Sequence, residues 1–177
     1  MRRRWLLAHG FTLTPLATLL LSACGDDADW PNGMVAIKWD RDACTRCKMI
    51  ISDQRFASQM RGGPKDTVFK FDDIGCAATW RSEKIKEFPW MTDVATRLWV
   101  ADFANPGKHW LAAQTAHYVS GKTSPMGYNY AAFGEAQSGS ISFDAMSQQT
   151  AAMWPANCLP GSTLTASAPP AAPGAVK

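Results

Sequence analysis

The sequence predicts an α+β fold made of short strands and two helices that recur in a similar order. Three observations carry this. Short runs that alternate apolar and polar residues are separated by turn residues, as in Arg55–Arg61 and Thr67–Phe71. Gly62-Gly63-Pro64-Lys65-Asp66 between them is a hairpin signal. Asp72-Asp73 then precedes a helical pattern with apolar positions at Ile74, Ala77, Ala78, Trp80 and Ile85.

The chain starts with Met1-Arg2-Arg3-Arg4 and a stretch from Leu6 to Leu21 that is apolar but broken by Pro15 and three threonines. That is the pattern of a secretory signal peptide, too short and interrupted for a membrane-spanning helix. It ends in Leu21-Ser22-Ala23-Cys24-Gly25, which resembles a bacterial lipobox. The resemblance implies cleavage after residue 23, acylation (palmitate) of Cys24, and residues 24–33 as a tether to the lipid bilayer. Gly25, where an aspartate would signal inner-membrane retention, points to the periplasmic face of the outer membrane. The formal charge of +3 comes from Arg2, Arg3 and Arg4; without them 15 basic and 15 acidic residues remain. A neutral mature chain offers no basic stripe for nucleic acid. Its 154 residues suit one domain or two small modules.

In the mature chain, Met34–Trp39 alternates as a first strand, and the cysteine-rich stretch from Asp42 to Met49 follows on a loop. The hairpin Arg55–Phe71 leads into the helix, which ends by Phe88-Pro89, and Thr96–Phe103 reads as the next strand. Trp110–Ala112, Ala116–Val119 and Tyr128–Phe133 are further strands, and Ile141–Met146 leads into a second helix ending near Met153. The order suggests a duplicated unit, with modules 34–105 and 106–158. Residues 159–177 are rich in Pro, Ala, Gly, Ser and Thr and are expected to be disordered.

Cys44 and Cys47 form a C-x-x-C, and Met49 extends it to C-x-x-C-x-M. Cys76 falls in the first turn of the predicted helix, where free N–H groups favour a thiolate. Set aside the lipidated Cys24, and Cys44, Cys47, Cys76 and Cys158 remain, enough for two disulfides in three pairings. Zinc fits less well, since His109 and His117 are the only histidines after the signal peptide and no second C-x-x-C exists. Thioethers need no deprotonation and form no disulfides, so Met49 and Met126, the latter in the turn-rich Ser124-Pro125-Met126-Gly127, suit a soft Cu(I) site in an oxidising compartment. The competing reading is an enzyme, a thiol–disulfide oxidoreductase or lyase using Cys44, Cys47 and Cys76. Asp72 and Asp73 read as helix caps, with a lyase-like Cys/Asp pairing as the alternative.

The lipobox, C-x-x-C-x-M, Phe71-Asp72-Asp73-Ile74-Gly75-Cys76, Tyr118-Val119 with Gly121, Ser124-Pro125-Met126-Gly127 and Ala132-Phe133 together resemble the NosL family of nitrous-oxide reductase accessory lipoproteins. The resemblance spans residues 21–153. It implies two ββαβ modules, a likeness to organomercurial lyase, and a periplasmic copper chaperone rather than an enzyme. Such a chaperone delivers Cu(I) to the machinery that matures nitrous-oxide reductase in denitrification. The metal ligands it implies are Cys47, Met49 and Met126, with Cys44 and Cys76 on the remaining family cysteines. Lys48 departs from the pattern, which usually has glycine between the cysteine and the methionine. Cys158 is an addition, either a further sulfur near the site or a partner of Cys44 or Cys76.

Overall fold

A computed structural model describes residues 29–153. The signal peptide, Cys24, Cys158 and the 159–177 tail lie outside the described residues. Nine elements follow one another: β1 (Ser58–Gly62), β2 (Thr67–Phe71), α1 (Ile74–Lys84), a 3-10 turn (Pro89–Thr92), β3 (Arg97–Ala101), β4 (Trp110–Ala112), β5 (His117–Ser120), β6 (Tyr130–Phe133) and α2 (Phe143–Met153). The mixture of helices and antiparallel sheets is the expected α+β class. Among these residues no helix is long and apolar enough to cross a membrane.

The hairpin forms where its turn residues predict, closed by a bond from the Asp66 N–H to the Gly63 carbonyl at 3.0 Å. Gly63 takes a φ of 76°, which glycine adopts without steric cost. Four strands pair antiparallel in the order β2-β1-β3-β4. Register puts Met60 opposite Phe69 and Leu98, and Gln59 opposite Lys70 and Trp99. Period-two alternation sends these two sets to opposite faces. The Phe69 face meets α1, where Phe69 lies 4.3 Å from Trp80 and 5.4 Å from Phe88, centroid to centroid.

The opposite face is met by the segment 34–38, which lies outside any ladder and runs into a turn at 39–42. The Gln59 side chain takes a ladder's place: its oxygen accepts from the Val35 N–H at 2.8 Å and its amide donates to the Val35 carbonyl at 2.6 Å. Lys70 Nζ donates to the Ala36 carbonyl at 2.6 Å. The strand expected at Met34–Trp39 does not form; Met34 and Ile37 are buried while Val35, Ala36 and Lys38 are exposed. Trp39 stacks with Trp30 and Trp110, 6.4 Å from each, and Trp30 lies 5.2 Å from Trp110.

β4 pairs with β3 as an edge of this first sheet, so that sheet draws on residues either side of 105. β5 and β6 form a separate hairpin, and among the described residues the second unit comprises β5, β6 and α2. α2 packs on α1 and β5. Tyr118, fully buried, donates its hydroxyl to the Ala113 carbonyl at 2.7 Å. A bond from the Phe103 N–H to the Ala132 carbonyl at 2.9 Å joins the two halves, and one apolar core runs through both.

Candidate metal centre

The cysteine loop is closed by a bridge between Ala43 and Ile50. The Cys44 N–H donates to the Met49 carbonyl at 2.8 Å, and the Lys48 N–H to the Cys44 carbonyl at 3.0 Å. Lys48 has a φ of 66°, the left-handed conformation that glycine takes freely and an L-residue takes at a cost of about 1–2 kcal/mol. A glycine between the cysteine and the methionine would take that conformation without cost. Here the strain is held by the loop bonds and by Lys48 Nζ donating to the Thr45 carbonyl at 2.7 Å.

Two contacts carry this loop to α1. The Thr45 N–H donates to the Lys70 carbonyl of β2 at 2.7 Å, and the Lys70 N–H donates back to Thr45 Oγ1 at 3.2 Å. β2 ends two residues before α1, so a loop docked beside its end lies beside the helix start. Asp73 caps that helix, accepting from the Gly75 N–H at 2.9 Å, and Cys76 is the third helical residue. The Sγ atoms of Cys44, Cys47 and Cys76 all come within 4.8 Å of one another. All three thiols are free; Cys44 and Cys76 are fully buried and Cys47 is half-buried.

The three thiols share one negative charge. Hydrogen bonds from Cys47 and then Cys76 outweigh burial and bring Cys44 down to about 2. Cys47, bonded to Cys44, is pushed up to about 11. Cys76 is pushed up by its bonds to Cys44 and Cys47 and by burial. Asp72 adjoins this charge: burial first, then Cys44 and Asp73, raise its carboxyl to about 7. Its Oδ1 is buried without a hydrogen-bond partner. Burial also raises Asp73, to about 6, against hydrogen bonds from Ser124, Gly75 and Met126.

Asp73 is more than a cap. Its Oδ2 accepts from the Ser124 hydroxyl and from the Met126 N–H at 3.4 Å. The Met126 backbone is therefore fastened to the start of the helix that carries Cys76. Met49 follows Cys47 on the same loop but is 52% exposed, beside an exposed Ile50. His109 is exposed before β4, and His117 is part-buried on β5 opposite Phe133; neither joins the cysteine cluster. The C-x-x-C spacing predicts the nearness of Cys44 and Cys47, whereas their contact with Cys76 depends on the docking of the loop on β2. Arg46, Ser124 and Tyr128 support the site without a sequence signal of their own beyond their places next to Cys47 and around Met126.

Gly75 is present because Tyr128 presses on the helix start. A Cβ at Gly75 would lie 2.1 Å from Tyr128 Cγ. Overpacking of this kind costs about 1–3 kcal/mol, against about 1 kcal/mol gained from alanine in a helix. Gly75→Ala is expected to lower the urea midpoint with the slope of the transition unchanged.

The sequence profile of the NosL family matches residues 35–145, more than half of the chain. No curated protein matches it in sequence. A solved structure, that of the copper chaperone NosL from Shewanella denitrificans, is similar at 19% identity, covering 66% of this chain and 86% of that one with a TM-score of 0.44. With the profile running from the N-terminal segment through both sheets into α2, the chain belongs to the NosL family.

Proposed function

We propose that this protein is a Cu(I) carrier, anchored to the periplasmic face of the outer membrane through Cys24, that passes copper towards the maturation of nitrous-oxide reductase. The observation that supports it most is the cluster of Cys44, Cys47 and Cys76. An all-sulfur donor set suits a soft monovalent ion better than zinc, whose usual sites add imidazole or a fourth cysteine. Family membership supports the reductase as the destination.

The cluster is graded from inside to outside. Cys44 and Cys76 are sealed from solvent, Cys47 is half-buried, and Met49 is exposed on the same loop. Cargo held by the inner thiols is shielded from water. Cys47 and Met49 offer the route by which an acceptor's sulfur or imidazole displaces them, one ligand at a time. Met126, whose backbone N–H is tied to Asp73 at the start of the helix that carries Cys76, would supply a second thioether. Transfer is ligand exchange with no bond of a substrate made or broken. A thiol–disulfide oxidoreductase needs an accessible attacking thiolate. Here Cys44 and Cys76 are fully buried, and Cys47 is only half-buried and hemmed by both.

The test is anaerobic competition for Cu(I) against a chromogenic chelator near neutral pH. The reading expects one tightly held ion per chain and clear weakening in the Cys47→Ser, Met126→Ala double variant. Equal affinity in the two proteins would sink it.

A further inference from the structure

Arg46 lies between Thr45 and Cys47, yet its side chain is only 6% exposed. Its guanidinium grips Glu83 of α1 with both arms of its fork, Nη2 to Oε1 at 2.8 Å and Nε to Oε2 at 3.2 Å. Its Nη1 donates to the Tyr128 hydroxyl at 3.0 Å. That hydroxyl also accepts from Thr79 Oγ1 at 3.3 Å, one helical turn before Glu83. The planar fork makes such a site specific in geometry, which a lysine cannot reproduce.

The three segments joined here are the three that carry the sulfurs. Arg46 belongs to the loop of Cys44, Cys47 and Met49. Glu83 and Thr79 belong to the helix of Cys76. Tyr128 stands two residues beyond Met126. At the other end of the same arrangement, Asp73 ties the helix start to Ser124 and Met126. The Arg46 arm adds a direct tie from the cysteine loop to the segment that follows Met126, beside the docking of that loop on β2.

We propose that Arg46 and Tyr128 are positioning residues forming a strut that holds the Met126 thioether in register with the thiols. This rests on the Cu(I) reading and on Met126 as a ligand. Tyr128→Phe removes the hydroxyl but keeps the ring, which is what packs on Gly75, so the apo fold is retained. Supporting residues of metal ligands typically contribute 10–100-fold to affinity.

The experiment is a double-mutant cycle on the full chain, reading Cu(I) affinity by chelator competition in wild type, Tyr128→Phe, Met126→Ala and the pair. Tyr128→Phe is expected to weaken binding by about tenfold in the native background and by less than about twofold where Met126 is already alanine. Arg46→Lys, which keeps the charge but loses the fork, should show the same dependence on Met126. Equal losses in both backgrounds would reduce Tyr128 to a stability residue and overturn the strut, as would no loss in the native one. Met126→Ala without effect would overturn it too, through the ligand assignment, while Cys47→Ser would still report separately on the thiol part of the site.

Discussion

Cys76→Ser is expected to weaken Cu(I) binding by about three orders of magnitude, about 4 kcal/mol at 1.4 kcal/mol per decade. Serine is close in size and can still donate to Cys44, so the apo protein should unfold at nearly the same urea concentration. What serine lacks is a soft donor atom. Cys76 is one of three thiols within 4.8 Å of one another among the described residues and is fully buried, where an exposed residue does not readily take its place. Its place in the first turn of α1 adds to the effect, because the positive end of the helix dipole favours the charge of a bound thiolate. Met49→Ala should cost much less, since a side chain 52% exposed is replaceable by water or by a chelator's own donor. Competition titrations of the two variants side by side provide the check. Wild-type affinity in Cys76→Ser would move the ion out of the three-thiol cluster, onto Cys47 with the two methionines.

The contrast between these variants also marks what the sequence could disclose. The hairpin was legible because Gly62-Gly63-Pro64-Lys65-Asp66 leaves the chain few conformations, and α1 because Asp73 stands where a cap must. The position of Cys76 in the first turn followed from that cap. The closing of Cys44 and Cys47 on Cys76 was not legible, because it depends on Thr45 pairing with Lys70, a contact between a loop and a strand with no periodic signature. The Met34–Trp39 segment shows the reverse case. Its buried residues, Met34 and Ile37, are three apart rather than two, and the partner of its backbone is the Gln59 side chain, which a strand pattern does not distinguish from a ladder. β4 lies close in sequence to β5 but pairs with β3, where Trp110 reaches the stack with Trp30 and Trp39. Asp73 was legible in one role only. Its bonds to Ser124 and Met126 span 51 and 53 residues, beyond any local pattern.

The second large effect is on stability and pH. Asp72 is raised from 3.8 to about 7 in the folded protein, by burial first and by the Cys44 charge next. An acid with a raised folded value binds more protons folded than unfolded between those two pH values, so stability falls as pH rises through that window. Asp73, raised to about 6, adds to the same slope. Asp53, hydrogen-bonded by Arg55, is held below the usual range and acts oppositely, losing its contribution only as pH falls below about 4. Cys44, brought down to about 2 from an ordinary 9, acts against the two aspartates across this window, because its thiol is protonated in the unfolded chain and not in the folded one. The contribution of Asp72 is therefore read as the difference between wild type and a variant at each pH. Asp72→Asn fixes the neutral form and should stabilise the apo protein at pH 8 by about 2–4 kcal/mol, with little effect at pH 4. Urea unfolding of both proteins across pH 4–8 measures this directly. A stability difference between Asp72→Asn and wild type that is the same at pH 4 and at pH 8 would contradict it. The cost that Asp72 imposes at neutral pH comes first from burial and then from the neighbouring Cys44 charge, so the variant that gains stability also removes a charge beside the three-thiol cluster.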